Sequence, residues 1–196
     1  MFERMTQALL LMDIQNGLID WVGAGSDYVD RVVATQERAE QADVLVVLVR
    51  VAFGPGHPEI SARNKIFAAL KARGGFVHGD PAADPHPHQI RGNGEIVVTK
   101  KRVSAFAGSD LELVLRSHNV TSLVLGGMLT SGVVLSTVRD ASDRDYHITV
   151  LADLCLDLDE EVHRVLIQKV FPTQADVMTA ADWCPDNYPP PSTEVS

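Results

Sequence analysis

Short apolar runs recur along the chain at residues 8–14, 44–50, 95–99, 122–126, 147–152 and, more weakly, 175–179. Val, Leu and Ile follow one another in them almost without a polar interruption. A strand with one wet face alternates apolar and polar residues, whereas a near-continuous run is what a strand covered on both faces requires, as in a parallel sheet. Between the runs the apolar spacing changes to three and four. Residues 28–41 bring Val29, Val32, Val33 and Ala39 near one face, residues 110–117 bring Leu111, Val114 and Leu115, and residues 160–171 bring Val162, Val165, Leu166 and Val170. Strand, helix, strand, helix in succession predicts a doubly wound α/β fold of three layers.

Punctuation refines the outline. Ser109 followed three residues later by Glu112, directly before an apolar helical pattern, predicts a capping box in which hydroxyl and carboxylate satisfy free amides of the first turn. Residues 53–94 are too long for a simple connection; they predict an excursion toward an active site or an oligomer contact, built around one short helix at 62–72. The domain is expected over residues 1–183. The tail 184–196, CPDNYPPPSTEVS, has little to pack and reads as a flexible extension.

Composition narrows the function. A chain of 196 residues, 45% of them hydrophobic and 22% charged, can bury one core. Its longest apolar stretches fall far short of the roughly 20 residues that span a bilayer. The opening MFERMTQALLLMD reads as a first strand rather than a signal peptide, so a cytoplasmic protein without membrane contact is expected. A net charge of −9 disfavours nucleic acid, whose recognition needs clustered Lys and Arg. Cys155 and Cys184 are the two cysteines; neither lies in a CxxC pair or a cluster with zinc spacing.

Open parallel sheets bind ligands at the carboxyl ends of their strands. Asp13 ends the first run, Arg50 the second and Lys100 the third, while residues 126–133, GGMLTSGV, lead the fourth strand into a helix. Trp21, Phe53 and Phe106 are candidates either for an apolar pocket or for ordinary core. His86 and His88, in a proline-rich loop, read as solvated rather than as metal ligands, and Cys155 reads as a small buried hydrophobe.

Taken together, Asp13-Ile14-Gln15-Asn16-Gly17, the segment Thr99-Lys100-Lys101-Arg102-Val103-Ser104-Ala105-Phe106, the stretch from Gly127 through Thr130 to Thr137-Val138-Arg139-Asp140-Ala141, and then Leu151-Ala152-Asp153 and His163 resemble the isochorismatase-like (cysteine hydrolase) superfamily. The likeness extends over residues 8–180. It implies a Rossmann-like fold with a six-stranded parallel sheet, a homo-oligomer, a small-molecule substrate and a triad of Asp, Lys and Cys. Asp and Lys carry over onto Asp13 and Lys100. The cysteine of that pattern stands seven residues before the aspartate of T-x-R-D-A, and counting back from Asp140 gives Val133.

An isopropyl group forms neither a thiolate nor an acyl-enzyme. The resemblance also covers true isochorismatases, which lack the cysteine and cleave a vinyl ether: an acid protonates the enol-ether carbon and water attacks the oxocarbenium centre. Asp13 would be that acid, with Lys100 supplying electrostatics. Arg50 would bind a substrate carboxylate, and Phe53, Phe106, Leu129 and Thr130 would line the substrate site. The resemblance further implies a cis peptide at Met128-Leu129, with the amides of Leu129 and Val133 turned into the pocket. Residues 50–57, RVAFGPGH, lack the D-x-H pair through which some members bind metal, so neither metal nor cofactor is expected. The alternative is a catalytically silent member acting as a binding or scaffolding subunit.

Overall fold

The computed structural model describes residues 6–90, 92 and 94–185. All but the start of the predicted tail lies outside them. Six strands form one parallel sheet: β1 (Thr6–Met12), β2 (Leu45–Val51), β3 (Ile96–Lys100), β4 (Val120–Met128), β5 (His147–Leu156) and β6 (Asp176–Met178), in the order β3-β2-β1-β4-β5-β6. Every predicted run is a strand, and the sheet direction is the expected one.

The alternating residues of each strand feed two cores. Ala8, Leu10 and Met12 of β1 join Val98, Leu123 and Leu125 beneath α4 (Leu111–Ser117), α5 (Leu135–Ser142) and the residues Leu166–Val170 that continue α6 (Glu160–Val165). Leu9 and Leu11 join Val124 and Leu151 beneath α1 (Asn16–Val22) and α2 (Ser26–Gln41). This is the predicted three-layer arrangement, with apolar burial on both faces of the sheet as its main stabilising term. A smaller cluster of Val51, Phe53, Ile60 and Phe67 lies under α3 (Lys65–Arg73). Among the described residues no helix is long and apolar enough to cross a membrane.

Some local expectations differ. The helix placed at 62–72 begins at Lys65, because the Asn64 side chain accepts the Phe67 amide and fixes the first turn there. The segment 160–171 is not one α-helix: α6 passes into a π-helical turn over Leu166–Val170 and a 3-10 turn over Phe171–Thr173. Pro172, which lacks an N–H and crowds the preceding turn, accounts for the change. The capping box does not form. Ser109 Oγ donates to the Ala105 carbonyl and accepts the Leu111 amide, and Glu112 turns to Arg116 and Arg144. Helix α1 carried no usable sequence signal, since its residues NGLIDWV begin without a side-chain cap.

Candidate active site

The strand order reverses direction between β1 and β4, the position where open α/β sheets form their ligand crevice. Asp13 follows the last residue of β1, and a π-helical turn over Thr130–Val134 follows β4. Asp13 adopts φ +58°, a left-handed conformation that aspartate tolerates better than most residues. Its amide donates to the Val49 carbonyl at 2.7 Å, which fixes the side chain at the rim of the sheet.

Lys100, the last residue of β3, reaches across the end of β2 to Asp13. Its Nζ lies 2.9 Å from Asp13 Oδ2 and donates to the Arg102 carbonyl at 3.1 Å. Both residues are buried, at 6% exposure for Asp13 and 2% for Lys100. Asp13 Oδ1 is buried too and accepts no hydrogen bond from any described residue. Burial raises the Asp13 pKa, and Lys100 opposes that rise through its charge and its hydrogen bond. A paired carboxylate with one oxygen unengaged has an acceptor ready for a ligand, and a raised pKa favours the neutral acid. A buried ion pair contributes little net stability, so its presence at a strand-end crevice marks a functional-site candidate.

Lys100 has the strand parity of Val98 and therefore lies on the α4–α5–α6 side of the sheet. Val133 is on the same side, 2% exposed, in one cluster with Met12, Val98, Ala105 and Phe106. Sequence neighbours of Asp13 and Lys100, namely Met12 and Val98, belong to that same core. The peptide Met128-Leu129 is cis, as the resemblance implied. The Leu129 carbonyl accepts from Gly132 and Val134 at 3.0 and 3.3 Å, closing the turn that begins at Thr130.

Other predicted residues have different surroundings. The Arg50 guanidinium is held by Asp84 Oδ1 at 2.6 Å and donates to Thr99 Oγ1 at 3.1 Å; it anchors the excursion. Phe53 is fully buried against His57 and Phe67, with ring centroids at 5.7 and 5.5 Å. Phe106 stacks on Tyr146 beneath the Arg144 guanidinium. Trp21 is 52% exposed. Cys155 is buried, and desolvation pushes its thiol up to about 12. The rings of His86 and His88 pack edge to face at 4.9 Å. No group of three His, Cys, Asp or Glu among the described residues could hold a metal ion.

Two relationships escaped the sequence reading. His163, recognised only as part of a pattern, has its Nδ1 2.8 Å from Thr130 Oγ1. Gln15 bonds Val51 and Ala83, the Asn16 amide donates to Asp84 and the His86 amide to Ile14. The excursion therefore returns to form a wall beside Asp13. Neither contact has a local signal, since each joins residues far apart in the chain.

Known proteins share this fold. An isochorismatase family protein of Burkholderia thailandensis superposes with a TM-score of 0.77 at 26% identity, covering 90% of this chain and 93% of that one. A cysteine hydrolase of Pseudomonas syringae shares the fold, with a TM-score of 0.81 at 19% identity over 93% of this chain and 96% of that one. A ureidoacrylate amidohydrolase of Variovorax paradoxus is 29% identical, over 83% of this chain and 71% of its own length. A probable inactive nicotinamidase of Arabidopsis thaliana is 28% identical, over 90% and 93%. The isochorismatase domain family matches residues 7–182, and the chain belongs to that family.

Proposed function

We propose that the protein hydrolyses a small molecule without a cysteine nucleophile, through acid–base chemistry at Asp13 assisted by Lys100. The observation that carries this reading is the buried Asp13–Lys100 pair at 2.9 Å, with Asp13 Oδ1 left as an unengaged acceptor. Burial raises the Asp13 pKa, so the carboxylate of the pair takes up more readily the proton that it then donates. In vinyl-ether cleavage the Asp13 proton passes to the enol-ether carbon, water adds to the oxocarbenium centre and returns a proton to the Asp13 carboxylate, and the resulting hemiketal collapses to a ketone as its bond to the departing alcohol breaks. The Lys100 ammonium stabilises the carboxylate that the first transfer leaves behind. The aliphatic side chain of Val133 takes no part in bond making. A cytoplasmic homo-oligomer is part of the same proposal, and sedimentation would test its self-association.

A second reading, a silent subunit that binds a small molecule, is favoured by the same valine and by the likeness to a relative named as a probable inactive nicotinamidase. Turnover assays on isochorismate, nicotinamide and carbamoyl amides separate the two. Turnover abolished by Asp13→Asn in a variant that still folds supports the hydrolase. Measurable ligand binding without turnover supports the silent subunit, and unchanged rates in Asp13→Asn overturn the role given to Asp13.

A further inference from the structure

Thr130 and His163 make a contact that the proposed chemistry leaves unused. Thr130 opens the turn that carries Val133 and is fully buried. Its hydroxyl lies 2.8 Å from the imidazole Nδ1, while His163 itself is half-buried on α6. The next residue is tied to the same segment: the Ser131 amide donates to Asp157 Oδ2 at 2.6 Å. That segment is itself well fixed. Asp157 Oδ1 accepts the Leu158 amide, and the Asp159 carboxylate caps α6 through the amides of Glu161 and Val162.

The turn has reason to need such ties. It is π-helical, a rare geometry that occurs as single turns and often at functional sites. Its first residues precede the regular ladder of α5, so side chains from outside the turn must help to hold it. A hydroxyl this deeply buried needs a partner, and the His163 imidazole supplies it at 2.8 Å. The contact faces α6, whereas Val133 is buried in the core cluster that also holds Met12 and Val98. His163 meets the turn at Thr130, three residues before position 133, so its influence on that position runs along the turn.

We infer that His163 is a positioning residue: through Thr130 it fixes the turn that presents residue 133 to the Asp13–Lys100 pair. The inference rests on reading that pair and position 133 as one pocket.

A reporter thiol tests it without any substrate. In Val133→Cys, the rate at which iodoacetamide alkylates position 133, followed by residue-resolved mass spectrometry across neutral and mildly alkaline pH, depends on how the turn amides and Lys100 stabilise the thiolate. Adding His163→Ala or Thr130→Val should slow alkylation at pH 7 by roughly fivefold, the factor that follows from losing one ordinary hydrogen bond, and move the profile to higher pH. His163→Asn and Thr130→Ser, which keep an acceptor or a hydroxyl, should restore most of the rate. Because Thr130→Val removes the contact from the other side, a folding defect in one variant leaves the other to decide. A reactive thiol whose profile ignores all four changes overturns the positioning role alone. A thiol that stays unreactive in every background overturns the pocket reading, and this inference with it.

Discussion

Met12 and Gly127 sit opposite one another across β1 and β4, so close that a Cβ on Gly127 would lie 2.3 Å from the Met12 carbonyl oxygen and 2.9 Å from the Met12 Cβ. The atom in the way is backbone, which cannot rotate aside. This is the register position immediately before Asp13, at the mouth of the crevice. Gly127→Ala is therefore expected to push β1 and β4 apart, at a cost of about 3 kcal/mol or more, the upper range for overpacking. Urea denaturation measures it; a variant within about 0.5 kcal/mol of the parent, the range of ordinary surface changes, would mean the strands can separate freely here.

The Asp13–Lys100 pair gives a stability prediction independent of activity. Asp13→Asn keeps a residue that tolerates the positive φ but strands the Lys100 ammonium, and breaking a buried pair in this way costs about 3–5 kcal/mol. Removing the second charge as well, in Asp13→Asn with Lys100→Met, should recover at least half of the loss. Equal destabilisation in the single and double variants would show that the two groups are not coupled.

These residues also show what the sequence could reveal. The meeting of Asp13 and Lys100 was legible because each stands at the end of a strong strand signal, and strand ends in a parallel sheet converge by topology. The roles of Arg50 and Phe53 were less legible. Their partners, Asp84, His57 and Phe67, lie in the excursion of residues 53–94, where no periodicity announces which side chain returns to the sheet. The Ser109–Glu112 pattern failed for a related reason: Arg116 and Arg144 offered Glu112 charged partners that a local motif does not consider.

Cys155 and Cys184 should differ sharply in reactivity. Cys155 is buried with its thiol pushed up to about 12, whereas Cys184 is exposed. At pH 8.5 iodoacetamide should modify Cys184 and leave Cys155 untouched in the native protein, as read by peptide mass spectrometry. The sign of the linked stability effect follows. The folded-state pKa lies above the ordinary value of 9.0, so the folded thiol keeps its proton where the unfolded one releases it. Its contribution is constant below pH 9 and is lost as pH rises from there toward 12. Labelling of native Cys155 at pH 8.5 would contradict the burial on which both statements depend.

The sharpest prediction concerns residue 133, which the proposed function treats as standing where a cysteine nucleophile would. Valine and cysteine are close in size, and Val133 is buried in the core cluster that also holds Met12, Val98 and Ala105, so Val133→Cys should fold with a loss near 1 kcal/mol, as for deletion of a buried methyl group. If residue 133 faces the Asp13–Lys100 pair, the new thiol has the Lys100 ammonium beside it, which favours the thiolate. Exposed to p-nitrophenyl acetate, the variant should release p-nitrophenol and gain one acetyl group at position 133, detectable by intact mass and peptide mapping. The parent chain should show no adduct there, because its only other thiols are Cys155 and Cys184. Adding Lys100→Met should slow acetylation by about tenfold, the change that follows from losing roughly 1.4 kcal/mol of charge stabilisation. If the thiol at position 133 acquires no acetyl group while the variant keeps the parent's stability, residue 133 does not face the Asp13–Lys100 pair.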